Sequence, residues 1–358
     1  MKNNFLIFFL TLFFGINCLN ISSAQDEFKF NVTEIQISND GNLIVGSKGG
    51  KAETYNGHEI TAENFVYNKS KNILNVKGNV KFIDKNINLT VFSDKATYIK
   101  NDEIIFTDGN SKAISQNNII TSSNFKLDIT KNILVADKKV KYLDNNDGFI
   151  ILSNKAIYNT NDETIFTEGD SIAVYKNYKL TALNFKFDSI KNILNADKNV
   201  ELNDKENKIK IFSDKATYQK NKEIILTKGN SKAINKKNTI TASNFEFDRK
   251  ENVLTADNNV KFEDNEDGFT IYSDYATYIK NDDIIVTKGN SKAINLNNNI
   301  TAKNFRFNRI KNILTAGGEV KFEDEEDGFV VYSDNATYLK NEDIIITEGD
   351  SKAINKKI

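Results

Sequence analysis

The chain contains neither proline nor tryptophan, and its 358 residues include one cysteine, one methionine and one histidine. The cysteine, Cys18, lies in an N-terminal segment that we expect to be removed, which excludes a disulfide framework from the rest of the chain. Without a cysteine or a second histidine beside His58, the usual nucleophile–base pairs cannot be assembled. We therefore expect no enzyme activity, no metal site and no cofactor.

An excess of charge of one sign is also absent. The 48 basic and 49 acidic residues are interspersed and give a formal net charge of −1. No basic stripe along the sequence indicates a nucleic-acid partner, and we predict none. Because hydrophobic residues make up 39% of the chain and recur regularly, the chain is not expected to be disordered.

The first residues have the composition of a secretory signal peptide. Lys2 supplies the positive charge, the apolar run from Phe5 to Phe14 is too short to span a bilayer, and Ser22-Ser23-Ala24 provides small residues for cleavage before Gln25. We predict a signal peptide over residues 1–24 and an exported mature chain. Two alternatives stay open: a retained N-terminal anchor and lipidation at Cys18.

A sequence close to Ser-Asp-x-Ala-Thr-Tyr returns every 60 residues and determines the architecture. Within each unit, residues such as 62–67 match residues 93–98, so the unit consists of two halves of about 30 residues. We therefore predict one elongated body with N-terminal cap strands over residues 25–59 and five 60-residue repeats over residues 60–358. The tyrosines that mark the repeat are Tyr98, Tyr158, Tyr218, Tyr278 and Tyr338.

The local pattern within each repeat is that of β-strands. Phe185 and Phe187 flank Lys186, and Phe245 and Phe247 flank Glu246, which is the apolar–charged–apolar alternation of a half-buried strand. The alternation changes parity within one strand of each repeat, and we place this change at Val91-Phe92. A bulge or a sharp bend produces such a change, so we predict two facing sheets joined by bent strands.

Glycine and asparagine mark the turns and bends. Gly109 recurs in phase at every 60 residues, which predicts a bend or a bulge inside strand-like sequence. The acidic segments at residues 264–268 and 324–328 lack the spacing of calcium-binding loops, and we interpret them as solvated hairpin turns. The C-terminal strands are less protected than the cap, so we expect an open edge that can pair with another chain.

These repeats resemble the organic solvent tolerance (OstA)-like domain, the family of the periplasmic lipopolysaccharide-transport protein LptA and of the N-terminal domain of LptD. The resemblance rests on Ser93-Asp94-Lys95-Ala96-Thr97-Tyr98 followed by Gly109-Asn110, and on residues 62–67 followed by Gly78-Asn79-Val80. It implies an all-β, elongated and slightly twisted β-jellyroll of two facing antiparallel sheets. The resemblance leaves three interpretations of the chain open: an LptA-like bridge, an LptD-like N-terminal part, and a relative with another amphiphilic cargo.

The resemblance also implies a function, a location and partners. The chain is expected to bind lipopolysaccharide or a related lipid in the periplasm, in association with the outer membrane, and to relay it for outer-membrane assembly. Expected protein partners are other lipopolysaccharide-transport proteins, paired through edge strands, and further copies of the chain joined head to tail. The inner-face residues expected to contact lipid are Phe65, Tyr67, Val80, Phe82, Phe125, Val140, Phe185, Phe187, Val200, Phe245, Phe247, Val260, Phe262, Phe305 and Phe307.

The physics of burial allows a second interpretation. Two sheets that splay along one side would form an apolar trough, in which an acyl chain gains about 0.8 kcal/mol per buried methylene. Two sheets that close completely would instead form a dry core, as in an exported structural or adhesive β-repeat protein. The sequence leaves both open, because the same ladder of phenylalanines serves either arrangement.

Overall fold

The computed structural model of the protein describes residues 28–266, 268–296 and 298–356. The predicted signal peptide, the first residues of the predicted cap, Cys18 and Asp267 lie outside these ranges. Within them the chain forms thirty β-strands and one 3₁₀ turn (Lys100–Asp102). The strands are β1 (Lys29–Ser38), β2 (Leu43–Glu53), β3 (Glu59–Ala62), β4 (Asn64–Asn68), β5 (Ile73–Asp84), β6 (Leu89–Ile99), β7 (Ile104–Asp108), β8 (Ser111–Ser115), β9 (Asn118–Ser122), β10 (Asn124–Asp128), β11 (Ile133–Asp144), β12 (Phe149–Asn159), β13 (Thr164–Glu168), β14 (Ser171–Tyr175), β15 (Tyr178–Ala182), β16 (Asn184–Asp188), β17 (Ile193–Asp204), β18 (Ile209–Gln219), β19 (Ile224–Ile234), β20 (Asn238–Asp248), β21 (Val253–Asp264), β22 (Thr270–Ile279), β23 (Ile284–Lys288), β24 (Ser291–Asn295), β25 (Asn298–Ala302), β26 (Asn304–Asn308), β27 (Ile313–Asp324), β28 (Phe329–Leu339), β29 (Ile344–Glu348) and β30 (Lys352–Asn355).

The strands form two facing layers of one antiparallel sheet. In each long strand pair, the register shifts once, as between Lys77 and Val80 in β5, where the two residues Gly78 and Asn79 lie opposite the single residue Asp94 of β6. The bulges fold the sheet along a line that we call the bend, because a bulge sharpens the local turn of a strand. In the first repeat, layer I contains residues 73–77, 95–99, 104–108 and 124–128, and layer II contains residues 80–84, 89–93, 111–115 and 118–122.

The prediction of an elongated all-β fold is confirmed. Each repeat adds four strand segments to each layer, and at about 4.8 Å per strand the stack is about 90–100 Å long. This exceeds the length expected if thirty strands were simply divided between two sheets. The reason is that the long strands, such as β11 and β17, cross the bend and contribute a segment to both layers.

The predicted change of parity is present, but it lies further along the strand than Val91-Phe92. In β6 the buried side chains occupy odd positions through Ser93 and even positions after Lys95, so Phe92 points outward. The position of the parity change could not be read from the sequence, because Ser93 is a polar residue on the inner face. Its hydroxyl donates a hydrogen bond to the carbonyl oxygen of Lys95 at 2.9 Å, which satisfies it at the bend.

The core lies between the two layers and forms one contiguous hydrophobic cluster through all the repeats. Phe187 of layer I packs on Phe149 of layer II with ring centroids 4.7 Å apart. The same contact recurs two repeats later between Phe307 and Phe269, also at 4.7 Å. Aromatic pairs at such distances add to the free energy of burial itself, so the ladder holds the layers together.

Both ends of the stack present edge strands. Within the described residues β1 pairs only with β2, and its Ile35 and Ile37 are exposed. At the other end, β29 and β30 pair only with β28 in the part of the chain that the structure describes. The apolar side chains there, including Ile344 and Ile346, are also exposed. Unpaired backbone groups beside apolar side chains favour the addition of further strands.

Candidate functional site

The candidate site is the interior between the layers, where the structure places every predicted lipid-contacting residue. All of them lie on the inner faces, and none is more than 3% exposed to solvent. They are Phe65, Tyr67, Val80, Phe82, Phe125, Val140, Phe185, Phe187, Val200, Phe245, Phe247, Val260, Phe262, Phe305 and Phe307. The interior is therefore closed to solvent at these positions, and contact with a lipid stays a prediction.

The bend side of the interior is built by the repeated motif. Gly109 has a φ of +79°, and Asn110 follows with a φ of +47°. The side chain of Asn110 donates a hydrogen bond to Oδ2 of Asp94 at 2.9 Å, and the equivalent bonds from Asn230 to Asp214 and from Asn290 to Asp274 are 2.8 Å long. The aspartate of the motif thus fixes the bend.

Buried hydroxyls just inside the bend are also satisfied. The hydroxyls of Thr107 and Ser111 lie 2.6 Å apart, and the backbone amide of Phe125 donates to Oγ1 of Thr107 at 2.8 Å. The same set recurs in later repeats, for example between Thr227 and Ser231 at 2.7 Å. These polar groups bond to the protein itself and are not directed at a ligand.

The opposite side of the interior is closed by side chains, and we call it the seam: the line where the hairpin turns of layer I meet those of layer II. The tyrosine of the repeated motif takes part in it. The side chain of Asn118 in layer II donates to the hydroxyl of Tyr158 in layer I at 3.4 Å, and it accepts a hydrogen bond from Tyr142 at 2.8 Å. Two repeats later, Asn238 donates to Tyr278 at 3.1 Å.

Two buried arginines reinforce the seam in the C-terminal half. Nε of Arg309 donates to Oδ2 of Asp264 in layer II at 2.8 Å, while its Nη1 reaches Asp283 in the next turn of layer I at 2.8 Å. Both hydrogen bonds hold the pKa of Arg309 above its ordinary value, although burial opposes them. A charge this deeply buried is tolerated only when it is paired.

Arg249 occupies the equivalent position one repeat earlier. Its Nε donates to Asp204 at 2.7 Å, its Nη1 donates to Glu223 at 3.0 Å, and its guanidinium lies over the ring of Tyr178 at 4.0 Å. Burial alone would raise the pKa of Asp204, but the hydrogen bonds from Arg249 and Asn207 outweigh it and leave that pKa below its usual range.

The remaining seam pairs use other cations. Nζ of Lys220 lies 3.0 Å from Asp144 and 2.7 Å from Asp147, with its side chain almost fully buried. In the first repeat, Nε2 of His58 lies 3.5 Å from Asp84, and both side chains are buried. The only histidine of the chain therefore belongs to the seam.

Sequence reasoning did not identify the seam, and one of its interpretations is wrong. Asp264 was assigned to a solvated hairpin turn, but it is 4% exposed and bound to Arg309. The signal was present in the sequence: an aspartate recurs in phase at positions 84, 144, 204, 264 and 324. Its partners carried no such signal, because Lys220 comes from a different place in the repeat than Arg249 and Arg309, and the place of the two arginines holds Ile129 and Ser189 in earlier repeats.

The described residues contain neither a cluster suited to a metal ion nor a helix that could cross a membrane. No group of three or more histidine, cysteine, aspartate or glutamate side chains within the described ranges could hold a metal ion. Among the residues that the structure describes, no helix has the length and apolar content needed to cross a membrane.

Comparison with known proteins gives structural similarity at a low level. No family model matches the chain, and no curated protein matches it. A solved structure that is similar in part is that of LptH from Pseudomonas aeruginosa, described as the LptA-homologous periplasmic component of the lipopolysaccharide transport device. The similarity covers 30% of this chain and 81% of that chain at 16% sequence identity, with a TM-score of 0.29. At that level the likeness carries no argument about function.

Proposed function

We propose that the chain is an exported periplasmic protein that binds lipopolysaccharide or a related lipid between its layers. In this proposal it relays the lipid toward the outer membrane, with which it associates, and it performs no catalysis. The observation that carries the proposal is the apolar interior, which runs without interruption through the five repeats. A uniform apolar track suits a cargo that moves along it better than one that is held in a single pocket.

Lipid entry requires the layers to part, and the seam is the side at which this costs least. At the bend the layers are joined by the chain itself and by hydrogen-bonded strands. At the seam the crossing contacts described above involve side chains, as in the pairs of Asn118 with Tyr158 and Arg309 with Asp264. Each acyl methylene that replaces an interlayer contact regains about 0.8 kcal/mol, so a long chain can offset the loss of several such contacts.

The partners follow from the two ends of the stack. The exposed edges of β1 and of β29 with β30 suit strand addition, either by other lipopolysaccharide-transport proteins or by a second copy of the chain placed head to tail. Such pairing would continue the two layers, and with them the apolar interior, from one protein into the next.

The experiment that tests the proposal places a photo-crosslinking phenylalanine analogue at Phe185 or Phe245 in cells. The matched controls carry the same analogue at the neighbouring outward positions Lys186 and Glu246. We expect a lipopolysaccharide adduct from the inner positions only. Adducts from the outward positions alone, or none from a folded inner variant, would reject the proposal.

A second candidate function is an exported structural or adhesive repeat protein, and the closed interior favours it. Residues such as Phe65 and Phe187 have no exposed surface at all, as in a dry core. The two candidates differ in what the purified protein contains. Mass spectrometry of protein released from the periplasm would detect bound lipid for the first candidate, whereas a lipid-free protein on the cell exterior would support the second.

A further inference from the structure

The outer surface of layer II carries one row of residues that runs along the whole stack. The row passes from Thr61 to Lys81, Phe92 and Lys112, which lie directly opposite one another on successive strands. It continues through the residues 60, 120, 180 and 240 positions later, so that twenty strand segments each contribute one side chain. At about 4.8 Å per strand, the order threonine, lysine, aromatic, lysine recurs about every 19 Å.

The row is strongly basic, which the net charge of the chain conceals. Three of its twenty residues depart from the repeated order, namely Leu152, Ile172 and Glu201. The row therefore contains eight lysines and one glutamate. The corresponding central row on the outer face of layer I contains only three cations, Lys126, Lys186 and Arg306. Because the lysines are 20 or more residues apart in the sequence, only the strand register brings them into line.

Most lysines of the row and its two tyrosines are available to a ligand. Within the described part of the chain, six of the eight lysines make no ion pair: Lys81, Lys112, Lys141, Lys232, Lys292 and Lys352. Lys261 and Lys321 pair with Glu263 and Glu323, two residues further along their own strands. Nζ of Lys81 lies 5.9 Å from the ring of Phe92, and Nζ of Lys261 lies 6.0 Å from the ring of Tyr272. Tyr272 and Tyr332 are 39% and 42% exposed. Tyr272 and Tyr332 thus present exposed rings between cations, while Phe92 and Phe212 are partly buried.

We propose that this row binds a linear acidic polysaccharide. The lysines would pair with its anionic groups, the rings of Phe92, Phe212, Tyr272 and Tyr332 would stack on sugar rings, and the threonines would bond to sugar hydroxyls. A flat anionic bilayer fits less well, because β-layers twist along the stack and only a flexible polymer can follow the row. A single-stranded nucleic acid fits less well too, because aromatic rings about 19 Å apart cannot stack successive bases.

The test measures binding of the full mature chain to sodium polygalacturonate and to dextran sulfate, with neutral dextran as the blank. We expect binding to at least one acidic polymer that weakens as salt increases, because bound lysines release counterions. Replacing Lys81, Lys112, Lys261 and Lys292 with glutamine should weaken it at least tenfold. Tyr272→Ala with Tyr332→Ala should weaken it severalfold with no change of charge.

The matched control replaces Lys77, Lys126, Lys186 and Lys228 with glutamine, which removes the same charge from the outer face of layer I. We expect this variant to bind like the parent protein. Equal loss in both quadruple variants would overturn the proposal, since binding would then follow net charge alone. Three other results would also overturn the proposal. These are binding only to vesicles of 30% phosphatidylglycerol in phosphatidylcholine, binding only to a thirty-nucleotide oligothymidylate, and binding to neither polygalacturonate nor dextran sulfate.

Discussion

Nε of Arg309 lies 2.8 Å from Oδ2 of Asp264, which comes 45 residues earlier in the chain and belongs to the opposite layer. Both side chains are almost fully buried. This pair and its equivalent, Arg249 with Asp204, tie the two layers together on the side opposite the bend. The seam therefore depends on a few desolvated charges, whose loss has predictable consequences.

Arg309→Met should destabilise the C-terminal repeats by about 3–5 kcal/mol, because it leaves Asp264 buried without its cation. Hydrogen exchange of β21 and β23 measures the effect locally, which matters because a repeat array need not unfold in one step. The control is Arg306→Met, on the exposed outer face of layer I. This substitution should change the hydrogen exchange of β21 and β23 little. The double variant Arg309→Met with Asp264→Leu should regain much of the lost stability, because no buried charge is then left unpaired. Hydrogen exchange that is unchanged in Arg309→Met would contradict the role of the pair.

Acid should weaken the seam below about pH 4. The pKa of Asp204 is lower in the folded protein than its usual value, because the hydrogen bonds from Arg249 and Asn207 outweigh the effect of burial. A depressed folded pKa contributes stability that is complete above the unfolded pKa of about 3.9 and is lost as the pH falls through the folded value.

Urea unfolding between pH 5 and pH 2 measures this contribution. The double variant Asp204→Leu with Arg249→Met lacks the ionisable pair and should lose less stability over that interval than the parent protein. If the two proteins show the same pH dependence, Asp204 does not contribute to the acid sensitivity.

Gly109→Ala should destabilise the bend more than Gly169→Ala does. Both glycines have positive φ angles, +79° and +75°, so both substitutions incur the cost of left-handed backbone, about 1–2 kcal/mol. A Cβ at Gly109 would also collide with Oδ2 of Asp94, whereas nothing lies within 4 Å of one at Gly169.

The free energies of unfolding of the two variants should differ by about 0.5–1.5 kcal/mol. This is the contribution of the hydrogen bond from Asn110, which Asp94 must give up. Denaturant midpoints of the two variants provide the measurement. An Asp94→Ala background should remove the difference, and its persistence there would show that Asp94 is not the obstacle.

Lysines on the C-terminal edge should prevent association between copies of the chain. Ile344 and Ile346 lie on β29 and are exposed, and charged side chains are a common protection of sheet edges. If the chain associates head to tail, sedimentation velocity should show oligomers for the parent protein and monomers for Ile344→Lys with Ile346→Lys. Ile310→Lys, at an exposed turn away from the edge, is the control. Oligomers that survive in the edge variant would place the interface elsewhere.

The repeat determined most of the fold, because alternation and turn residues are local properties of the sequence. The strand at Phe185 to Phe187, the bend at Gly109 and the facing layers could all be predicted from it. The exact bend position could not, because Ser93 is polar and yet faces inward. The seam could not either, because Lys220 meets Asp144 across 76 residues and no local pattern encodes such a pair. The lysine row needed the strand register, which periodicity alone does not supply.

The strand pairing is the same in every repeat, and this affects how such a chain can change in evolution. Every unit of four strands ends in the register in which it began, so the gain or loss of one unit leaves the strand pairing of its neighbours unchanged. Duplication can therefore alter the reach of the molecule in steps of about 19 Å without any redesign of its interior. If the protein bridges two cellular structures, as proposed, its number of repeats records the distance between them.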